Sequence, residues 1–335
     1  MFSWAISERR PLLALGICAV LVLALGWDLS LFYKHEETFA ELPPYDFDAP
    51  RYLLPLPPTT EFPTKTVQAA WDALTPDELV LGVSIDGAAR AYPLNVLNLT
   101  PAYKVLNDVL GGKPVAATFC DNCHNAIVYL REVDGRTLTF GVDGRLWKDS
   151  MVLYDQETNS RWSHLTGVAK IGRLQGRTLT PLPSVMTDWQ SWRRQHPEGT
   201  VVVMPNTGRE FVRGFYADRK EFVFGVADAG HAKAWNLDDL GRSPVVNDEW
   251  QGTPVLVVLD RASVTVRLFS RRLAGRTLTF RETNGELQDE ESASSWEPTS
   301  GQALRGALAG QALEAIPGGM LSKREAWRLH HPESR

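Results

Sequence analysis

Pro114 to Phe140 reads PVAATFCDNCHNAIVYLREVDGRTLTF, and Pro254 to Phe280 reads PVLVVLDRASVTVRLFSRRLAGRTLTF. The two stretches align without a gap, and each ends in Gly-Arg-Thr-Leu-Thr-Phe. A self-match of that length marks a duplicated structural unit, so the fold is that of one unit built twice. Each stretch holds two apolar runs of strand length around a polar connection: Val115–Phe119 and Ala126–Leu130 in the first, Val255–Leu259 and Val264–Phe269 in the second. That pattern predicts β-hairpins. The cluster Cys120-x-x-Cys123-His124 then falls where the second copy has its hairpin turn, Asp260-Arg261-Ala262-Ser263.

The match extends in both directions. Leu79-Val80-Leu81-Gly82-Val83 returns as Phe222-Val223-Phe224-Gly225-Val226, and Ala91-Tyr92-Pro93-Leu94 as Ala234-Trp235-Asn236-Leu237. Val105 to Asp108 returns as Val245 to Asp248, and Trp162 to Gly167 as Trp296 to Gly301. Leu79–Ile85, Asp86-Gly87 and Ala88–Tyr92 predict a further hairpin with an Asp-Gly turn. Both copies close on Trp192 with His196-Pro197 or Trp327 with His331-Pro332, preceded by Thr187-x-x-Gln190 or Ser322-x-x-Glu325. These read as capping boxes opening short terminal helices. The expected fold is mainly β (α+β), two related β-rich repeats over 66–205 and 206–335, each closed by a short helix.

Ahead of the repeats, Arg9 and Arg10 precede an apolar run from Pro11 to Trp27, followed by Asp28, Glu36, Glu37 and Glu41. As a helix this run spans about 25 Å, enough with Leu29, Leu31 and Phe32 for a transmembrane helix. Its flanking charges predict an N-terminal anchor or signal over 1–33 with the rest outside, on the periplasmic face of a cytoplasmic membrane. A proline-rich stretch over 34–65 (Pro43, Pro44, Pro50, Pro55, Pro57, Pro58, Pro63) predicts an extended spacer. The membrane is thus the expected partner. Net charge is −5 with dispersed basic residues, which speaks against nucleic acid, and the 44% hydrophobic content over 335 residues suffices for a large core.

The copies differ where chemistry is concentrated. Cys120 corresponds to Asp260, Cys123 to Ser263, His124 to Val264 and His164 to Pro298. The first copy also carries about six extra residues around Lys148–Asp155. A single site in the first copy follows, with Cys120, Cys123, His124 and His164 as its candidate ligands. Two thiolates at a turn with one or two imidazoles suit copper or zinc. In an oxidising compartment the same pair can close as a disulfide or exchange electrons with other thiols. Cys-x-x-Cys-His is also the attachment signature of c-type haem, although a flanking pair of strands is not its usual setting. Three classes of function therefore stand: transition-metal binding, an interaction or scaffold domain stiffened by a disulfide, and a haem or thiol-redox protein. His196 and His331 recur beside helix ends and read as structural, His231 reads as a loop residue, and Asn107-Asp108 and Asn247-Asp248, present in both copies, read as turn residues.

Ala91-Tyr92-Pro93-Leu94, Asn107-Asp108, Pro114-Val115-Ala116 leading to Cys120 and Cys123, Phe140-Gly141-Val142-Asp143-Gly144, Val152-Leu153-Tyr154-Asp155 and Ser160-x-Trp162 occur in the order of the bacterial domain-of-unknown-function 3179 family. Gly172, Leu182-Pro183 and Trp192 with His196-Pro197 continue it. The chain resembles that family best over Leu79 to Gly199 and more faintly over the second copy. The resemblance implies membership and fold and carries no activity. This chain has Tyr103-Lys104 where the family often has His-Glu, and His124 where a histidine is unusual.

Overall fold

The computed structural model describes residues 55–209, 216, 218–228 and 230–334. The expected anchor over 1–33 and most of the spacer lie outside the described residues. Among the described residues no helix is long and apolar enough to cross a membrane.

Alternating apolar residues and tight turns give the first copy nine principal strands: β1 (Leu79–Ile85), β2 (Ala88–Pro93), β3 (Val105–Leu110), β4 (Lys113–Cys120), β5 (Asn125–Leu130), β6 (Phe140–Trp147), β7 (Ser150–Asp155), β8 (Arg161–Ser163) and β9 (Ser184–Asp188). The second copy repeats the order with β10 (Phe222–Asp228), β11 (His231–Asn236), β12 (Val245–Trp250), β13 (Thr253–Asp260), β14 (Thr265–Ser270), β15 (Phe280–Thr283), β16 (Glu286–Asp289) and β17 (Met320–Lys323). In each copy a hairpin takes back the last strand, β2-β1-β9 and β11-β10-β17. Each also has a three-stranded meander, β3-β4-β5 or β12-β13-β14. The predicted Asp86-Gly87 turn is present, with both residues at positive φ (49° and 84°) as a two-residue hairpin requires.

Side-chain clamps repeat with the strands. Arg131 donates to the carbonyls of Val115, Leu138 and Asp108, and Arg271 to those of Val255, Leu278 and Asp248. Asn107 bonds both the N–H and the carbonyl of Phe140, as Asn247 does with Phe280. The recurring Asn-Asp pairs, read from sequence as turn residues, thus lie within β3 and β12 and tie one sheet to the next. Asp155 accepts from Trp162 Nε1 at 2.8 Å and Asp289 from Trp296 Nε1 at 3.0 Å, so these carboxylates serve the scaffold.

The closing helices span Trp189–Gln195 and Arg324–His330. Their expected capping boxes are absent. Asp188 caps the first through Ser191 N–H, and Lys323 precedes the second without a side-chain cap. The hydroxyls of Thr187 and Ser322 instead face the opposite copy: Thr187 Oγ1 accepts from Thr265 on β14, and Ser322 Oγ donates to the Cys123 carbonyl. Each copy's returning strand therefore packs on the other copy's meander, and both copies belong to one compact unit. One apolar core runs through both, including Leu81, Leu97 and Phe119 with Phe224, Val257 and Leu268. Burial of this shared face is what holds the copies together, because neither alone would cover it.

The spacer expected over 34–65 reaches the domain within its described part. Leu56 N–H bonds the Val142 carbonyl, Tyr154 donates to the Leu56 carbonyl, and Thr64–Thr66 pairs with Thr200–Val202.

Candidate functional site

The β4–β5 hairpin closes at the pair Cys120 and Asn125, leaving Asp121 to His124 as the turn. His124 is left-handed (φ 49°), as Val264 is at the same place in the second copy (φ 58°). The second-copy turn explains the first. There the Asp260 carboxylate accepts from the backbone N–H groups of Ala262 and Ser263 and from the Ser263 hydroxyl. Here Cys120 Sγ accepts from Cys123 N–H at 3.3 Å. Sulfur has taken over the anchoring role of an anionic oxygen, a position that favours a thiolate over a thiol.

The turn is held on three sides. Lys104, itself buried, pairs with Asp121 at 3.0 Å. The extra residues of the first copy lengthen the β6–β7 hairpin so that its end reaches the turn: Asp149 accepts from Asn122 Nδ2 at 2.9 Å, and Ser150 Oγ lies 3.6 Å from Cys123 Sγ. From the second copy, Lys323 N–H donates to the Cys123 carbonyl at 2.8 Å, and Asn125 Nδ2 donates to Leu321 O at 3.1 Å.

Within this frame the ligand atoms of Cys120, Cys123 and His164 lie within 4.8 Å of one another, and all three residues are buried. Strand periodicity explains the meeting, since Thr118 and Cys120 share one face of β4. His164 is fixed at its backbone by Met151 O and by the Tyr129 hydroxyl. Its Nε2 is 2.8 Å from Thr118 Oγ1, whose own proton goes to Ile127 O at 2.7 Å. Thr118 is therefore the acceptor, and Nε2 carries the hydrogen. Nδ1 is left without a protein hydrogen-bond partner. An imidazole whose far nitrogen is tied to an acceptor is oriented as metal-ligating histidines are.

His124 stands elsewhere. Its ring packs edge-on against Tyr216 (6.2 Å between centroids) and Phe222 (5.8 Å), outside the group of three. Burial, with the charge of Lys323 next in weight, lowers its pKa to about 4.

Cys120 and Cys123 are free thiols. Burial alone would raise both. At Cys120 this is outweighed by hydrogen bonding from Cys123 and by the adjacent His164 imidazole, which hold it well below the ordinary thiol range. At Cys123, burial and the neighbouring Cys120 together push it well above. The two shifts run in opposite directions, each sulfur tuned by the other.

A family model described as "Protein of unknown function (DUF3179)" matches residues 56–217 and again 212–335. The chain belongs to this family. The two matched segments follow the two copies seen in the fold, and the three-residue cluster lies in the first segment. Comparison with curated proteins and with solved structures returned no match.

Thr118, Ser150 and the second-copy residues Ser322 and Lys323 are parts of the site that the spacing of Cys and His did not indicate. Thr118 could have been found from the alternation of β4, as a lone hydroxyl two residues before Cys120 in an apolar run. Nothing in the linear order marks the contribution of the second copy.

Proposed function

We propose that the chain binds one transition-metal ion, copper or zinc, through Cys120, Cys123 and His164. The observation that carries this reading is the unpartnered Nδ1 of a buried, oriented histidine beside two thiols. Ligands bound to a tetrahedral zinc stand about 3.8 Å apart, from metal–sulfur bonds of about 2.3 Å. The observed span of 4.8 Å or less is thus closed by small side-chain rotations. Two sulfurs and one imidazole select a soft or borderline metal over magnesium or calcium. Three protein donors complete a three-coordinate site or leave a fourth position to an outside ligand, which suits storage, delivery or electron transfer. Loss of the Cys123 proton accompanies loading, so affinity rises with pH.

His124 contributes packing and not ligation in this reading, and covalent haem, which would use His124 on the iron, is disfavoured by the ring's place against Tyr216 and Phe222. The charges around Pro11–Trp27 support a membrane-anchored chain with its domain outside the cytoplasm.

The test is elemental analysis of the full chain purified without chelator, followed by titration of stripped protein with cobalt(II). Near one equivalent of copper or zinc, and a thiolate-to-cobalt charge-transfer band lost in Cys120→Ser, Cys123→Ser and His164→Ala but kept in His124→Phe, is the expected result. Metal-free protein with no such band sinks the reading.

A further inference from the structure

Cys120, Cys123 and His164 are all buried, so nothing reaches them unless part of the chain moves. The end of the β6–β7 hairpin lies against them, with Ser150 Oγ 3.6 Å from Cys123 Sγ, and it is built unlike its counterpart. In the second copy β15 and β16 pair without a break from Phe280 with Asp289 to Thr283 with Glu286. The turn there is Asn284-Gly285 at φ 52° and 79°, the residue types that left-handed two-residue turns favour. In the first copy the register breaks between Met151 and Leu153, opposite residues 143–145, where Gly144 has φ 96°. Beyond the break two pairs remain, Leu146 with Met151 and Trp147 with Ser150, closed by Lys148-Asp149 at φ 49° and 60°. A left-handed lysine is sterically unfavourable, since its Cβ crowds the backbone and its side chain makes no local hydrogen bond in return.

The end of this hairpin is held at its rim. On one side Asp149 accepts from Asn122 Nδ2 at 2.9 Å, which fastens it to the cysteine turn. On the other, His330 Nε2 donates to the Trp147 carbonyl at 3.2 Å, and the two rings meet edge-on with 4.7 Å between centroids. Lys148 is exposed, and Asn122, Trp147 and Asp149 are half-buried. Ladder irregularities bend a strand and interrupt its hydrogen bonds, and segments with few, partly exposed bonds open at low cost. Unpairing Trp147 from Ser150 would break half-exposed contacts and let Lys148 leave the left-handed region. The register break and the unfavourable turn both occur in the copy that carries the cluster, and neither occurs in the hairpin of the other copy.

We infer that residues 146–150 form a flap, hinged at the register break beside Gly144, whose opening admits the metal ion to Cys120, Cys123 and His164 and lets it leave. Met151, whose carbonyl accepts from His164 N–H at 3.0 Å, is the fixed side of the hinge. The bond from Asn122 to Asp149 is the latch, and the left-handed turn is the spring that opposes it. As a gate for metal the flap rests on the binding reading above, but its movement is read on the two thiols without any metal.

The probe is iodoacetamide, added to the metal-free full chain carrying Cys18→Ala so that Cys120 and Cys123 alone report, with alkylation followed by mass spectrometry. Reaction of a transiently opened state follows its population. Asn122→Ala removes the latch without changing charge and is expected to react about three- to tenfold faster. Lys148→Asn suits the left-handed turn and is expected to react about threefold more slowly than Lys148→Gln, which removes the same charge without that preference. Misfolding cannot produce the slower rate. Gly82→Ala, on β1, weakens the fold as a whole and is expected to leave the rate within about twofold. In Asn122→Ala, cobalt(II) uptake and its release to EDTA are expected to accelerate together. Equal rates for Lys148→Asn and Lys148→Gln, no acceleration in Asn122→Ala, or rates that follow urea stability across the variants overturn the inference. So does faster cobalt release with unchanged uptake, which is what a role in holding the ligands would give. A parent that binds no cobalt while the alkylation rates shift as expected refutes the metal reading and supports the flap.

Discussion

Thr118→Val tests whether the metal site depends on the tautomer of His164. The substitution keeps the branched shape and removes one oxygen. In the native chain that oxygen accepts from His164 Nε2 at 2.8 Å and passes its own proton to Ile127 O at 2.7 Å, and both Thr118 and His164 are fully buried. With valine the Nε2 hydrogen has no acceptor, an omission worth about 1–3 kcal/mol for a buried group. The ring can escape by moving its proton to Nδ1, but that occupies the nitrogen a metal needs. Either way loading becomes harder, and loss of such an orienting partner typically costs about 10–100-fold in metal affinity. The assay is competition against a chelating dye, together with urea unfolding of stripped protein. Expected are a 10–100-fold weaker metal complex and a stability loss of about 2 kcal/mol, both restored substantially by Thr118→Ser. Affinity within twofold of the parent in a folded Thr118→Val protein, or equal weakening by Thr118→Ser, would refute the reasoning.

Three further outcomes follow from the structure. A Cβ built on Gly82 would lie 2.1 Å from Trp192 Cζ3, and one on Gly225 2.4 Å from Trp327 Cη2, so alanine at either place should destabilise by about 3 kcal/mol; equal melting temperatures to the parent would deny that the indoles sit on the strands. His330, held at about 3 by burial against an ordinary 6.5, stays unprotonated in the fold while the unfolded chain takes up a proton below pH 6.5. Stability therefore falls as pH drops from 6.5 towards 3, by roughly 2 kcal/mol from this group at pH 4.5, and urea titrations at pH 7 and 4.5 should show a drop smaller by that amount in His330→Gln. Cys120→Asp copies the second-copy anchor, so circular dichroism should show the β signal retained while affinity for monovalent copper falls further than affinity for zinc, because a carboxylate is a harder ligand; equal losses for both metals would contradict the assignment of Cys120 as a soft donor.

Much of the fold was legible because a duplication declares itself in linear order. The ungapped match of Pro114–Phe140 with Pro254–Phe280 located both meanders, and period-2 alternation with Asp-Gly located the first hairpin. Hairpins are local, so their turns and registers follow from adjacent residues. The hydroxyls of Thr187 and Ser322 were misread as helix caps because the motif is defined by spacing alone, and spacing does not reveal a partner about 80 to 200 residues away along the chain. Asn107 and Asn247 were misread for a similar reason: Asn-Asp favours turns locally, but a clamp to Phe140 or Phe280 wins when the residue is buried between sheets.

By itself the amino-acid order determined that the chain is a β-rich repeat with one chemically distinct copy, and that Cys120 and Cys123 share a turn. Only the tertiary structure decided which histidine joins them. His124 is covalently next to Cys123, yet the left-handed backbone that ends the turn sends its ring to Tyr216 and Phe222. His164, 41 positions beyond Cys123 in the chain, arrives because the β6–β8 sheet folds back over the face of β4 that carries Thr118 and Cys120. Ligand geometry is set by packing of faces and not by distance along the chain, and packing is what the two interlocked copies supply.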